Sequence, residues 1–184
     1  MTKIEAIIGA IRKDLLPLTE KGVSEGGHVF GGLVLDGRTL RTVAVGTNRR
    51  QVNPIYHGEI DTLQEFFKLK DRPAPEDCIF VASHEPCSMC ISAISWAGFR
   101  EVWVLFDSAD MSKDFEMPVD LLMYRELFGV NGPKDKNAFF VKYDLKKEAA
   151  KEPNAEDLAE KLGLLATEYA KLDTKVSAFD YPGM

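Results

Sequence analysis

Hydrophobic residues in this chain follow two spacings, one typical of helices and one typical of strands. A repeat of aliphatic residues every three or four positions predicts an amphipathic helix over about residues 3–16, which Pro17 ends or kinks. Further helices are predicted near residues 58–69, from Pro86 to Trp96, and near residues 118–128. Short apolar runs predict strands near residues 29–35, 40–45, 78–82, 102–106 and 138–144.

The order of these elements predicts the architecture. Asp36-Gly37 is a turn signal between the first two strands, so those strands are expected to form an antiparallel hairpin. A helix lies between the last two strands, and a connection of that kind joins parallel neighbours. The sequence therefore predicts an α/β fold, a three-layer α/β/α arrangement around a five-stranded mixed sheet with an extra C-terminal helix.

The C-terminal segment differs in composition from the rest and is mostly charged over residues 146–161. We divide the chain into a main domain, residues 1–145, and a C-terminal helix and tail, residues 146–184. This helix is expected either to pack on its own domain or to form a dimer contact. The apolar seam that would make the contact steps by four and three residues and consists of Leu158, Leu162, Leu165, Tyr169 and Leu172.

Composition and charge exclude several classes of protein. The chain has 184 residues and a formal net charge of −6, which disfavours a nucleic-acid binder that relies on broad neutralisation of phosphates. Its three cysteines cannot all pair with one another, so a small secreted disulfide scaffold is not expected. No signal peptide is evident, and no apolar run reaches the roughly 18 residues of a membrane span. We expect a cytoplasmic protein with no membrane partner.

Two short motifs supply the residue types of a catalytic zinc site. Cys87 and Cys90 are three positions apart at a predicted helix start, which places both thiols on one side and favours their thiolate forms. His57 can add a neutral imidazole, and three protein ligands leave a position open for water. Glu59 points away from His57 on a regular helix, so it suits a proton carrier better than a co-ligand.

Other interpretations of these residues stay open at this point. Cys87 and Cys90 could form a redox dithiol, although that leaves the stretch around His57 without a role. A purely structural zinc site would need a fourth ligand, such as His84. His84 could also act beside the site as an acid–base group. Cys78 lies in an apolar run and is expected to be a small buried hydrophobe.

The order His-x-Glu followed by Pro-Cys-x-x-Cys resembles the signature of zinc-dependent nucleobase deaminases. From about Gly26 to Tyr143 the sequence is similar to the cytidine deaminase-like superfamily, nearest to its branch of cytosine, guanine and tRNA-adenosine deaminases. The resemblance implies that His57, Cys87 and Cys90 bind Zn²⁺ and that Glu59 carries protons during catalysis.

The same resemblance implies residues for substrate binding. Asn48 matches an asparagine that contacts base or sugar, Gly58 offers a backbone N–H to a base carbonyl, and Phe30 lies in a stretch that walls the base pocket. Glu85 belongs to the frequent Glu-Pro-Cys form, where it could also cap a helix. Asp110 is placed like an aspartate that contacts guanine, whose N1–H and 2-amino donors suit a carboxylate; the alternative is a solvated loop acid.

The expected reaction is hydrolytic deamination of a small amino-bearing nucleobase or analogue, guanine- or cytosine-like, with release of ammonia. We expect a homodimer and no nucleic-acid partner. Two alternatives remain: an editing deaminase that acts on adenosine or cytidine in tRNA or another nucleic acid, and a non-catalytic zinc module. The tail residues Phe179 and Tyr181 are candidates for covering the pocket.

Overall fold

One sheet of five strands organises the described part of the chain, which is residues 2–107 and 118–172 of a computed structural model. The strands are β1 (Gly31–Asp36), β2 (Thr42–Thr47), β3 (Cys78–His84), β4 (Glu101–Phe106) and β5 (Val141–Asp144). Their spatial order is β2-β1-β3-β4-β5. β1 pairs antiparallel with β2 and β3, whereas β4 runs parallel to both β3 and β5. The predicted mixed sheet is confirmed.

Helices cover both faces of this sheet. They are α1 (Lys3–Ala10), α2 (Leu16–Ser24), α3 (Gly58–Lys68), α4 (Ser88–Trp96), α5 (Pro118–Phe128), α6 (Leu145–Ala149) and α7 (Ala155–Leu172). Side chains of α1, α2, α6 and α7 pack on one face, and those of α3, α4 and α5 pack on the other. This is the expected three-layer α/β/α arrangement. Among the described residues, no helix combines the length and the apolar character needed to cross a membrane.

The central strand β3 supplies side chains to both cores. Ile79 and Val81 belong to the core shared with α1 and α7, while Phe80 and Ala82 belong to the core under α3 and α4. Successive side chains of a strand point to opposite faces, so a continuous apolar run can fill both layers. Every residue of β3 is buried, which explains why its sequence shows no alternation of polar and apolar residues.

The first helical stretch does not end near residue 16, and that predicted boundary is wrong. A π-helical turn over Ile11–Leu15 joins α1 to α2, and the helical backbone continues to Ser24. Pro17 has no backbone N–H and cannot complete a bond inside a regular helix. Here the π-turn comes immediately before it, and Pro17 falls in the first turn of α2, where proline is tolerated.

The apolar seam of the C-terminal helix packs on the same chain. Its members Leu158, Leu162, Leu165 and Tyr169 are buried in the core that also contains α1. At the start of α7, Asn154 Nδ2 donates to Glu5 Oε1 of α1 at 3.3 Å. The seam therefore serves as a packing face within this chain. The division of the chain at residue 145 stays a prediction, and the tail residues proposed to cover the pocket lie outside the described residues.

Candidate active site

Three side chains with nitrogen or sulfur donors converge where α3 and α4 begin. His57 occupies the N-cap position of α3, Cys87 occupies that of α4, and Cys90 lies in the first turn of α4. His57 Nδ1 lies 3.6 Å from the Sγ of Cys87 and 3.6 Å from the Sγ of Cys90. The three donor atoms all lie within 4.8 Å of one another. The two motifs that are distant in sequence therefore form one cluster.

The spacing of this cluster fits a tetrahedral zinc ion. Zn–S bonds of about 2.3 Å and Zn–N bonds of about 2.0 Å separate the two donor atoms by about 3.5 Å at a tetrahedral angle. The observed nitrogen–sulfur separations of 3.6 Å match that value. Within residues 2–107 and 118–172, no fourth His, Cys, Asp or Glu joins the group. The structural zinc site that His84 would have closed is therefore not formed.

The surroundings of Cys87 stabilise its thiolate. A hydrogen bond with the Cys90 thiol lowers the pKa of Cys87, burial opposes this change, and His57 lowers it further, to about 4. Burial alone would lower the pKa of His57, but the neighbouring Cys87 thiolate outweighs burial and raises it to about 9. Burial also raises the pKa of Cys90. Zinc binds thiolate sulfur and neutral imidazole, so binding of the ion would release the protons that His57 and Cys90 hold in its absence.

Glu59 is a buried carboxyl group beside these ligands, with 5% of its surface exposed. It lies in the first turn of α3, two residues after His57. Burial, followed by the negative charge of Cys87, raises the pKa of Glu59 to about 7. A carboxyl group with a pKa near neutrality can both accept and return a proton, which suits the role predicted for it.

Glycine at position 58 allows the start of α3 to touch the start of β1. A Cβ on Gly58 would lie 2.4 Å from Gly31 Cα and 2.5 Å from the Phe30 carbonyl oxygen. A Cβ on Gly32 would lie 2.9 Å from Thr62 Oγ1 of the same helix. Gly32 is therefore explained by the close approach of the metal-binding helix to the sheet, whereas a Cβ on Gly31 would lie 2.8 Å from Leu15 Cδ1 on the other side.

Asn48 lies next to this contact. Its backbone N–H donates to the Phe30 carbonyl oxygen at 2.9 Å, the same oxygen that faces Gly58. Its side-chain Oδ1 accepts the backbone N–H groups of His28 at 3.2 Å and Arg50 at 3.1 Å. Three predicted substrate residues, Asn48, Phe30 and Gly58, are thus brought together at the start of α3.

A family model for the cytidine and deoxycytidylate deaminase zinc-binding region matches residues 13–106, more than half of the 184-residue chain. The matched range contains the histidine and both cysteines of the cluster, together with Glu59. The chain belongs to this deaminase family. It is accordingly a zinc-dependent hydrolytic deaminase, and His57, Cys87 and Cys90 are the residues placed to hold the zinc ion. The redox-dithiol and non-catalytic interpretations no longer apply.

Curated relatives match the deaminase over part of its length. Guanine deaminase of Bacillus subtilis (strain 168) is 29% identical over 119 residues, which are 62% of this chain and 73% of the relative. A probable cytosine deaminase of Schizosaccharomyces pombe is 28% identical over 93 residues, 50% of this chain and 56% of the relative. The match therefore spans little more than half of the cytosine deaminase.

Solved structures share the fold. A variant of NE0047 in complex with 8-azaguanine has a TM-score of 0.55 and 21% identity, covering 91% of this chain and 85% of that one. A structure from work on A-to-I editing by tRNA deaminases at the wobble position has a TM-score of 0.55 and 18% identity, covering 89% and 99%. At these identities the likeness shows the cytidine deaminase-like fold alone.

Glu85 is held by a lysine at the edge of the site. Its carboxylate forms an ion pair with Lys142 Nζ of β5, and the two side chains are only 10% and 13% exposed. Lys142 also lies 3.2 Å from Asp135. The backbone N–H of Glu85 donates to the Phe106 carbonyl at 2.8 Å. Among the described contacts, Glu85 therefore anchors the turn before Cys87 to β4 and β5, and no bond to the helix start is formed.

Sequence reasoning missed one acid near the site. Asp120 is half-buried in the first turn of α5, where burial and then the charge of Cys87 raise its pKa to about 6. One turn later, the Tyr124 hydroxyl donates to the Pro86 carbonyl at 3.2 Å. Residues four apart share a helix face, so Asp120 lies on the face that meets the turn before Cys87. In the sequence, the one sign of this position was that Asp120 lies four residues before Tyr124 in the predicted helix.

His84 lies at the end of β3 and is 2% exposed. Its ring contacts those of Phe30, Phe106 and Tyr169, with centroids 4.9, 4.8 and 5.7 Å away. Burial lowers the pKa of His84 to about 3, so the imidazole stays neutral and packs as an aromatic ring. Asp110, which was expected to contact a base, lies outside the described residues.

Proposed function

We propose that this enzyme deaminates a free purine base of the guanine type. The observation that carries the proposal is an amide donor, Asn48, and a carboxylate, Asp120, on separate elements around one metal site. Guanine presents carbonyl and ring-nitrogen acceptors together with N1–H and amino donors, so it can use both groups.

Different residues bind the metal, transfer protons and bind the base carbonyl. His57, Cys87 and Cys90 would hold the zinc ion, which when bound lowers the pKa of a coordinated water toward about 7. The buried carboxylate of Glu59 takes one proton from the attacking water and gives it to the ring nitrogen; it then takes the second proton from the hydroxyl group added to the ring carbon and gives it to the amino group, which leaves as ammonia. Gly58 belongs to the first turn of α3, whose N–H groups have no helical partners and suit a base carbonyl.

Asn48 supports recognition of the base because its side chain has a fixed orientation. The Oδ1 atom accepts two backbone N–H groups, and an amide held in that way presents its NH₂ group elsewhere. Within the part of the chain that the structure describes, the Asn48 Nδ2 makes no hydrogen bond. Two donors therefore remain for acceptor atoms of a purine.

Asp120 supports guanine over cytosine. Its carboxylate is close enough to Cys87 and His57 for both charges to influence its pKa. A carboxylate at that place accepts the adjacent N–H donors of guanine, whereas the two donors of cytosine are not adjacent: its amino group lies beside a ring acceptor and its N1–H beside the carbonyl. The guanine deaminase of Bacillus subtilis also matches a larger share of this chain than the cytosine deaminase does.

The charges around the site favour a free base over a nucleic acid. The net charge of the chain is −6. Three of the cations on the surrounding elements are engaged by acids: Arg49 by Asp61, Lys142 by Glu85, and Lys147 by Asp107 at 3.2 Å. A surface that binds tRNA needs cations that can pair with phosphates.

The test is ammonia release from guanine, cytosine, adenine and their nucleosides, with a transfer RNA as a further substrate. Guanine should react fastest. Asp120→Asn should lower kcat/KM for guanine by about 10- to 100-fold, since a hydrogen bond to a charged group is lost. Glu126→Gln, an exposed position on the same helix, should match wild type. Turnover of cytosine or transfer RNA without turnover of guanine would contradict the proposal.

We also propose that the enzyme is a homodimer. Trp96 at the end of α4 is 92% exposed, and an exposed apolar patch marks an interaction surface. The neighbouring helices α3 and α5 expose further large apolar side chains: Phe67, Leu122, Leu127 and Phe128. Sedimentation should give twice the chain mass of 20.5 kDa. Trp96→Lys should give the monomer, while Leu164→Lys on α7 should leave the mass unchanged; a wild-type monomer would refute this.

A cytoplasmic location is proposed from the chemistry of the ligands. Cys87 and Cys90 must stay reduced to bind zinc, and a reducing compartment maintains thiols in that state. Cell fractionation would test the location, and recovery of the enzyme from an oxidising compartment would contradict it.

A further inference from the structure

Asp61 is a buried acid on α3, and it is not one of the residues placed to hold the zinc ion. It lies in the first turn of α3 and is 6% exposed. Both of its carboxylate oxygens are occupied: Oδ2 accepts the backbone N–H of Thr47 at 3.1 Å, and Oδ1 accepts the guanidinium of Arg49. Its own N–H donates to the His57 carbonyl at 3.0 Å. The acid therefore links the start of α3 to another segment of the chain.

The two partners of Asp61 flank Asn48 in the sequence. Thr47 ends β2, and Arg49 is the second residue of the loop that follows. The Arg49 backbone N–H donates to the Tyr56 carbonyl at 2.8 Å, and its guanidinium lies over the Tyr56 ring, 5.4 Å from the centroid. The residues on both sides of Asn48 are thus tied to α3 and to the stretch that leads into it.

We propose that Asp61 is a positioning residue that sets the Asn48 amide relative to Glu59 and the zinc ligands. The link is direct, because one helix carries Asp61 and Glu59 and begins at His57. Any movement of α3 then carries the asparagine with it. The inference rests on the proposed function, in which Asn48 donates to the base, and it adds the residue that holds Asn48 in place.

The contacts of Asp61 require a carboxylate. A carboxylate accepts on both oxygens, whereas an asparagine side chain accepts on one atom and donates on the other. In Asp61→Asn the NH₂ group must face either the Thr47 N–H or the Arg49 guanidinium, which are both donors. The substitution therefore removes one of the two links without changing the size of the side chain.

Steady-state kinetics with guanine test this inference. Asp61→Asn should raise KM by about 10- to 100-fold, because a hydrogen bond to a charged group is lost. It should leave kcat within about threefold, because Asn48 contacts the base in both the ground state and the transition state. Zinc content should not change. The matched control is Glu65→Gln, on the next turn of α3, where an exposed ion pair with Lys68 at 2.5 Å is lost.

A double mutant separates positioning from general stability. If Asp61 acts through Asn48, then Asp61→Asn should change KM by less than about twofold in an Asn48→Ala background. A full additive effect in that background would overturn the inference. Should Asp61→Asn fail to fold, Arg49→Met, which removes only the guanidinium link, replaces it in the same measurements.

Failure of the inference differs from failure of the proposed function. An unchanged KM in Asp61→Asn, with guanine still turned over, overturns the inference alone. A wild-type enzyme that neither deaminates guanine nor binds 8-azaguanine overturns the proposed function. The inference is then decided by nuclear magnetic resonance: the Asn48 side-chain amide signals should shift in Asp61→Asn and not in Glu65→Gln, and unchanged signals overturn it.

Discussion

Replacing Gly58 with alanine should damage both stability and catalysis, because the added methyl group meets backbone atoms. The new Cβ would lie 2.4 Å from Gly31 Cα and 2.5 Å from the Phe30 carbonyl oxygen. Ordinary carbon contacts are about 3.5–4.0 Å, so the start of α3 must move away from β1 by about 1 Å. Overpacking of this kind costs about 1–3 kcal/mol in the free energy of unfolding. A shift of about 1 Å at Glu59 should lower kcat/KM by about 100-fold.

The matched control for this prediction is Gly163→Ala. Gly163 is exposed within α7, and nothing lies within 4 Å of the position that its Cβ would take. Alanine there should raise the free energy of unfolding by about 0.5–1 kcal/mol, because glycine is a poor helix former. Urea unfolding, zinc content and ammonia release from guanine would be measured for both variants. A Gly58→Ala enzyme with wild-type stability and wild-type kcat/KM would refute the packing argument.

Three further predictions concern other parts of the site. Glu59→Gln should retain zinc by atomic absorption but lose at least about 100-fold in kcat, since a proton carrier is removed; retained turnover would contradict its role. Lys142→Met should cost about 3 kcal/mol in urea unfolding, because the Glu85 carboxylate stays buried without its cation; a loss below about 1 kcal/mol would argue against the anchor. The folded pKa of His84, lowered by burial and Lys146 to about 3, lies below the unfolded value of 6.5. The unfolded chain therefore binds more protons between these values, and stability should fall as pH drops from 6.5 toward 3. His84→Phe should show a shallower fall in urea titrations at pH 7 and 5, and an equal fall would contradict this.

Much of the geometry of the metal site is local, which made its three ligand candidates predictable from the sequence. His57 and Cys87 each occupy the N-cap position of a helix, and Cys90 follows within one turn of Cys87. Residue spacing at a helix start determines where these side chains point. Only the meeting of α3 and α4 depends on the tertiary fold, and the order of the motifs was sufficient to predict it.

The strands were predicted well where burial is complete. The run from Cys78 to Ala82 was recognised because all of its side chains are apolar, although β3 continues to His84. By contrast, β5 spans only Val141–Asp144, and its residues are half-buried. The predicted strand began at residue 138, because apolar character alone cannot show where an edge strand starts to pair.

The missed features depend on long-range packing. Pro17 lacks a backbone N–H, as the sequence shows, but the sequence does not show the π-turn that accommodates it. That turn also depends on the burial of Ile11 and Leu15 in the core. Asp120 and Asp61 acquire their roles from elements far away in sequence, namely the turn before Cys87 and the end of β2. The spacing of residues within a helix does not show which other element will pack against its polar face.

The contact between α1 and α7 can form only after most of the chain has been synthesised. Glu5 and Asn154, which join these helices, are 149 residues apart. At about 5–20 residues per second, a ribosome needs roughly 7–30 seconds to make the chain between them. During that interval Ile4, Ile7 and Ile8 lack the leucine-rich surface that buries them in the finished enzyme. An apolar helix that stays uncovered for that time makes the nascent chain prone to aggregate.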